Sequence, residues 1–141
     1  MQSYRSKYKA LPGTSYSEII ANARREYHAI QRRTPRRIPY VRSIYFKKDK
    51  VFLSTFWEHL KQKHPSERSN RLRFYLAALD LLRNTTATSE SIIERNNPDV
   101  FLHRFAGRTS DGHYFYVQVK DNRRSGRKDF MSVFPAKNPK K

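Results

Sequence analysis

The stretch Val100-Phe101-Leu102-His103-Arg104-Phe105-Ala106-Gly107-Arg108-Thr109-Ser110-Asp111-Gly112-His113-Tyr114-Phe115-Tyr116-Val117-Gln118-Val119-Lys120 decides the fold. Two runs, Val100 to Ala106 and His113 to Lys120, flank Thr109-Ser110-Asp111-Gly112, and an Asp-Gly pair between alternating runs is a strong hairpin signal. After Asn122-Arg123-Arg124-Ser125-Gly126, the run Lys128 to Phe134 reads as a third strand, so the C-terminal third is expected as an antiparallel β-meander. Because side chains alternate along a strand, Tyr114, Tyr116, Gln118 and Lys120 share one face, and Phe115, Val117 and Val119 the other. The last strand sets Phe130, Ser132 and Phe134 against Met131 and Val133. His103 goes with Phe101 and Phe105, on a face that pattern alone does not name.

Upstream the period changes to a helical one. Ser15 with Glu18 forms a capping box, and Ile19, Ala23, Tyr27 and Ile30 then recur at helical spacing, predicting a helix from about Tyr16 to Arg32. Pro35 and Pro39 end it in a basic connector. Val41 to Phe46 reads as extended, and Val51-Phe52-Leu53 as a short strand paired with it. Thr55 and Glu58 form a second capping box for a short helix ending before Pro65. Pro65 opens the strongest amphipathic stretch, with Leu72, Leu76, Leu79 and Leu82 on one side. A short helix is expected from about Ser89 to Arg95, stopping at Asn96-Asn97-Pro98. Helices followed by strands give an α+β domain whose helices pack on one face of the sheet.

The 141 residues carry a formal charge of +18, with 30 Lys and Arg against 12 Asp and Glu, and no cysteine. Residues 1–50 hold 13 basic and 3 acidic side chains, residues 51–119 hold 9 and 7, and residues 120–141 hold 8 and 2. The excess therefore sits in the flanks and points to a polyanionic partner such as RNA. Arg32, Arg33, Arg36, Arg37, Arg123, Arg124, Arg127 and Lys128 are the candidate phosphate-binding residues. The organisation expected is a flexible basic arm at 1–14, a basic helix and connector at 15–50, an α+β domain at 51–137 and a basic tail at 138–141. Without an apolar leader or a membrane-length apolar run, a cytoplasmic setting with no membrane partner is the expectation.

Metal-dependent chemistry is poorly supported. His59 and His64 are five residues apart, there is no HExxH, and the carboxylates are scattered, so neither a metal nor another cofactor is expected. Metal-free RNA cleavage needs less: a base for the ribose 2′-OH, a cation for the phosphorane, and an acid or hydroxyl for the leaving oxygen. His64, Arg71, Lys120, Tyr116 and Ser132 supply those types. The residues leave open whether His59, His64 or His103 is the base.

The segment Trp57-Glu58-His59-Leu60-Lys61-Gln62-Lys63-His64-Pro65, the following helix, Asn97-Pro98-Asp99, the run His113 to Lys120 and the closing Phe130-Met131-Ser132-Val133-Phe134-Pro135 together resemble phage-associated members of the barnase-EndoU-colicin-RelE ribonuclease superfamily. The resemblance covers roughly residues 51–137. It implies helices before a short antiparallel sheet, a site at His64, Lys120 and Ser132, and metal-independent endoribonuclease activity of toxin or effector type. Arg71 and Tyr116 rest on residue chemistry alone. Family members usually carry Thr where Ser132 stands. An acidic inhibitor or antitoxin protein would be a second partner of the basic flanks. The alternatives are a non-catalytic RNA- or DNA-binding module, with Tyr114, Tyr116 and Trp57 stacking bases, and a structural protein of a ribonucleoprotein or virion.

Overall fold

A computed structural model describes residues 2–11, 15–34 and 38–136. Those residues form a mixed α/β structure with four helices and a curled seven-stranded sheet. The strands are β1 (Ser3–Arg5), β2 (Tyr40–Ser43), β3 (Asp49–Phe52), β4 (Glu90–Glu94), β5 (Asn97–Arg108), β6 (Tyr114–Asn122) and β7 (Lys128–Pro135). The helices are α1 (Tyr16–Arg33), α2 (Ser54–Leu60), α3 (Pro65–Leu72) and α4 (Tyr75–Asn84). Strand order is β1-β5-β6-β7-β3-β2, and β4 pairs with β5 on the edge that β1 also uses. The pairings β5–β6 and β6–β7 are antiparallel, with Gly112 taking the positive φ of 92° that the Asp-Gly turn requires.

One face of β5–β6–β7 is core. Phe105, Phe115, Val117, Val119, Phe130 and Val133 are buried there against the helices, with Phe56 stacked on Phe130 at 4.7 Å and Phe74 on Phe115 at 5.3 Å between ring centroids. The opposite face keeps Tyr114, Tyr116, Gln118 and Lys120 half-exposed in strict alternation along β6. This outer face is where the fold leaves polar and aromatic side chains to solvent.

Several expectations are corrected. Residues 90–94 are a strand, not a helix, because β5 is long enough to offer its open edge as a pairing partner, and Asn96 belongs to the turn rather than to a helix stop. The arm expected over 1–14 contains β1, which runs parallel to Ala106–Arg108. It is fastened by the buried Asp80 of α4, whose carboxylate accepts from the Tyr4 hydroxyl (3.0 Å), the Ser6 hydroxyl (2.7 Å) and the Lys7 N–H (3.3 Å). Burial, with Asp80 alongside, pushes the Tyr4 hydroxyl up to about 12.

The amphipathic stretch after Pro65 divides into α3 and α4 at Arg73-Phe74, where the Arg73 carbonyl accepts the Leu11 N–H at 2.7 Å. Ser15 caps α1 through the Glu18 N–H as expected. Thr55 does not cap α2, and its hydroxyl turns to Asp129 instead. In β7 a bulge lets Met131 slip between the pairs Gln118↔Ser132 and Val119↔Phe130. Phe130 therefore points into the core, while Ser132 and Phe134, expected on its face, lie on the outer one. Arg36, Arg37 and the tail 138–141 fall outside the described residues.

Candidate nucleic-acid interface

Strand alternation places Arg104 on β5, Tyr116 on β6 and Phe134 on β7 in one lateral row, since Ala106↔Tyr116 and Tyr116↔Phe134 are register partners and Arg104 precedes Ala106 by one alternation. Arg104 lies over Tyr116 at 5.3 Å and over Phe134 at 5.7 Å, and the two rings are 5.6 Å apart. Arg108 lies over Tyr114 at 5.7 Å one step along the same face. Such pairs set guanidinium charge beside aromatic rings, so one surface offers both rings for base stacking and charge for phosphate.

Arg71, at the last turn of α3, closes the row. Its guanidinium donates to the Val133 carbonyl at 3.3 Å and stands over Phe134 at 5.7 Å. The same side chain lines a surface dimple of only about 10 Å³ with His59, Lys63, Met131 and Ser132, where α2 and α3 meet the rim of β7. On the other side of Tyr116 the outer face opens into a groove of about 490 Å³ lined by Glu90, Ile92, Leu102, Arg104 and Gln118. A second groove, of about 580 Å³, lies at the far end of the sheet between Arg42, Lys50, Phe52 and Arg127. There Arg127 lies over Phe52 at 4.5 Å and Lys50 over Tyr40 at 4.8 Å.

Of the five residues expected to do chemistry, the structure brings Arg71 and Ser132 into one dimple and sets Tyr116 beside Phe134 next to them. Lys120 is on the same sheet face, opposite Leu102 and Asp129, one alternation beyond Gln118 and Ser132. His64 sits at the other end of α3 from Arg71, exposed, where its Nδ1 accepts the Ser66 N–H at 3.2 Å as the helix N-cap. His59, on α2, is the histidine that shares the dimple with Arg71 and Ser132. Its ring makes no hydrogen bond to another described residue.

Among the expected phosphate-binding residues, Arg32, Arg33 and Arg124 are exposed. Arg123 and Arg127 donate through Nε to Asp121 (2.8 Å) and Asp129 (3.1 Å) but remain half-exposed, with guanidinium nitrogens left for a ligand. Lys128 does not face solvent. It is 8% exposed, bonded to Asp49 at 3.1 Å and 3.8 Å from Asp121, because the register of β7 against β6 turns it to the core face. Trp57 is half-buried, donates to the Tyr75 hydroxyl at 3.3 Å and is covered by Arg24 at 5.8 Å, so it is no part of the sheet platform.

Two residues that sequence reading passed over, Arg104 and Phe134, are central to the platform. Alternation from Ser132 reaches Phe134, whereas Arg104 joins Tyr116 only through the β5–β6 register. Among the described residues no group of three His, Asp or Glu is placed to hold a metal ion, and no helix is long and apolar enough to cross a membrane. No family model, curated protein or solved structure matches this chain.

Proposed function

We propose that the protein binds single-stranded RNA across the outer face of the sheet and cleaves it without metal at the dimple beside β7. The observation that carries this reading is the double placement of Arg71, whose guanidinium ends the Arg104–Tyr116–Phe134 row and also stands with His59, Lys63 and Ser132. Half-exposed aromatic rings interleaved with cations suit unpaired bases, which have a free face to stack, better than a duplex, whose bases are covered.

In the proposed reaction a ribose 2′-oxygen attacks the adjacent phosphorus. The 2′-OH proton passes to His59, the O2′–P bond forms, and the P–O5′ bond breaks to leave a 2′,3′-cyclic phosphate. Arg71 and Lys63 offset the extra negative charge of the phosphorane. Ser132 donates a hydrogen bond to the leaving 5′-oxygen, which takes its proton from water. This assigns to His59 the role that the family resemblance implies for His64, because His64 spends its Nδ1 on capping α3. A strongly basic protein of this kind is the natural target of an acidic inhibitor, which would cover the same cationic face.

The test is cleavage of end-labelled RNA in EDTA by the wild type, His59→Ala and His64→Ala. General-base loss lowers the rate by roughly 10²–10⁴-fold, so His59→Ala is expected to fall by that much while His64→Ala, once shown to be folded, stays within about threefold of wild type. Intact RNA bound tightly by all three proteins would remove the catalytic half and leave a binding module.

A further inference from the structure

On the core face of the sheet, three neighbouring strands place a serine, a histidine and an aspartate in series. Ser91 of β4 is the register partner of His103 on β5, and Asp121 on β6 pairs with Phe101, one alternation from His103. The Ser91 hydroxyl is 2.6 Å from His103 Nδ1, and His103 Nε2 is 3.0 Å from Asp121 Oδ2. His103 and Asp121 are 4% and 2% exposed, whereas Ser91 lies exposed on an edge strand.

The network fixes the direction of the protons. A carboxylate only accepts, so Nε2 of His103 carries its hydrogen toward Asp121, and Nδ1 is left with a lone pair for the Ser91 O–H. Asp121 is held in place by Arg123 Nε at 2.8 Å on the oxygen that meets His103, and its other carboxylate oxygen faces Lys128 Nζ at 3.8 Å. The carboxylate that Nε2 meets at 3.0 Å fixes the ring with Nδ1 turned to the Ser91 hydroxyl, ready to take its proton. Mere satisfaction of the imidazole would need one hydroxyl, and Ser89, half-buried and bonded to the Tyr45 hydroxyl at 3.0 Å, already stands 3.4 Å from Nδ1. The shorter bond goes to the hydroxyl that solvent can reach.

We infer that Ser91 is an activated nucleophile that accepts an acyl group from a carboxylic ester. The same face beside it carries Ile93, 57% exposed, paired with Phe101, over which Arg123 lies at 4.2 Å. The ester's apolar part rests on Ile93 and Phe101. Ser91 Oγ bonds to the carbonyl carbon as its proton moves to His103 Nδ1, the bond to the leaving alcohol breaks, and His103 returns the proton to that alcohol. Water then hydrolyses the acyl-serine by the reverse proton path. This chemistry uses the face opposite the RNA platform and does not depend on it.

The test incubates the full chain with p-nitrophenyl butyrate and follows p-nitrophenolate release together with peptide mass mapping. The expected result is a butyryl group on the peptide bearing Ser91, with release falling by about 100-fold in Ser91→Ala and staying within about twofold in Ser89→Ala. Both substitutions are on an exposed or half-exposed segment, and far-ultraviolet circular dichroism with urea unfolding of each variant reports that the fold is intact. Release that survives in Ser91→Ala, or an absence of both release and acylation at Ser91, overturns the inference.

Discussion

Replacing Tyr116 by alanine removes the middle ring of the platform without touching the core, since its side chain is half-exposed on the outer face and its neighbours there are Arg104 and Phe134. Stacking of one base on an aromatic ring is worth roughly 1–3 kcal/mol by such substitutions, and a tenfold change in affinity corresponds to about 1.4 kcal/mol. Tyr116→Ala should therefore weaken RNA binding by about 5- to 150-fold. Tyr116→Phe keeps the ring, so it should bind within about twofold of wild type, and that separates stacking from any role of the hydroxyl. Arg104→Ala should lose the guanidinium as well as its contact with two rings. Its signature is a salt dependence of binding shallower by about 0.7 in the logarithmic slope for a single strand. Fluorescence anisotropy with a labelled single-stranded oligonucleotide, titrated at several salt concentrations, reads all three. Unchanged affinity in Tyr116→Ala, with Arg32→Ala weakening binding more than Arg104→Ala, would refute the sheet platform and move the interface to the end of α1.

Other consequences follow from particular contacts. A Cβ on Gly107 would come within 2.4 Å of Phe115 Cζ and 2.9 Å of Leu81 Cδ1, both buried, so Gly107→Ala should cost about 1–3 kcal/mol of overpacking, measured by urea unfolding. Asp80→Asn weakens the charged acceptor of Tyr4, Ser6 and the Lys7 N–H and should cost about 1.5–3 kcal/mol, with limited proteolysis entering near β1 first. The hydrogen bond from Thr109 holds the Asp111 carboxyl below its ordinary value of 3.8. A folded value lower than the unfolded one stabilises the fold above 3.8, and that contribution is lost as pH falls through the folded value. The stability difference between wild type and Asp111→Asn should thus shrink as pH falls below 3.8, as chemical unfolding across pH would show.

The sequence carried the β5–β6 hairpin, because Asp111-Gly112 and the alternation of Tyr114 to Lys120 are local signals that tertiary packing reinforces. It carried α1 for the same reason, through Ser15 and the spacing of Ile19, Ala23 and Ile30. It did not carry β4, since Ile92-Ile93 between polar residues suits helix and strand alike, and only the open edge of β5 decides between them. The bulge at Met131 was equally invisible: one extra residue reverses the faces of everything beyond it, which is why Phe130 was grouped with Ser132 and Phe134. At the site, residue types were legible but their neighbours were not. Arg71 and Ser132 meet because α3 reaches the rim of β7, and Lys128 leaves the surface because Asp49 and Asp121 converge on it from two other strands.

The central claim is that this surface binds RNA and uses its 2′-hydroxyl for cleavage without metal. A single-turnover reaction in EDTA, comparing an end-labelled RNA oligonucleotide with the same sequence carrying 2′-O-methyl groups throughout, tests it most directly. Fragments ending in 2′,3′-cyclic phosphate are expected from the RNA and none from the methylated strand, with both strands bound. Equal cleavage of the two strands, or cleavage that appears only when a divalent cation is added, would contradict it.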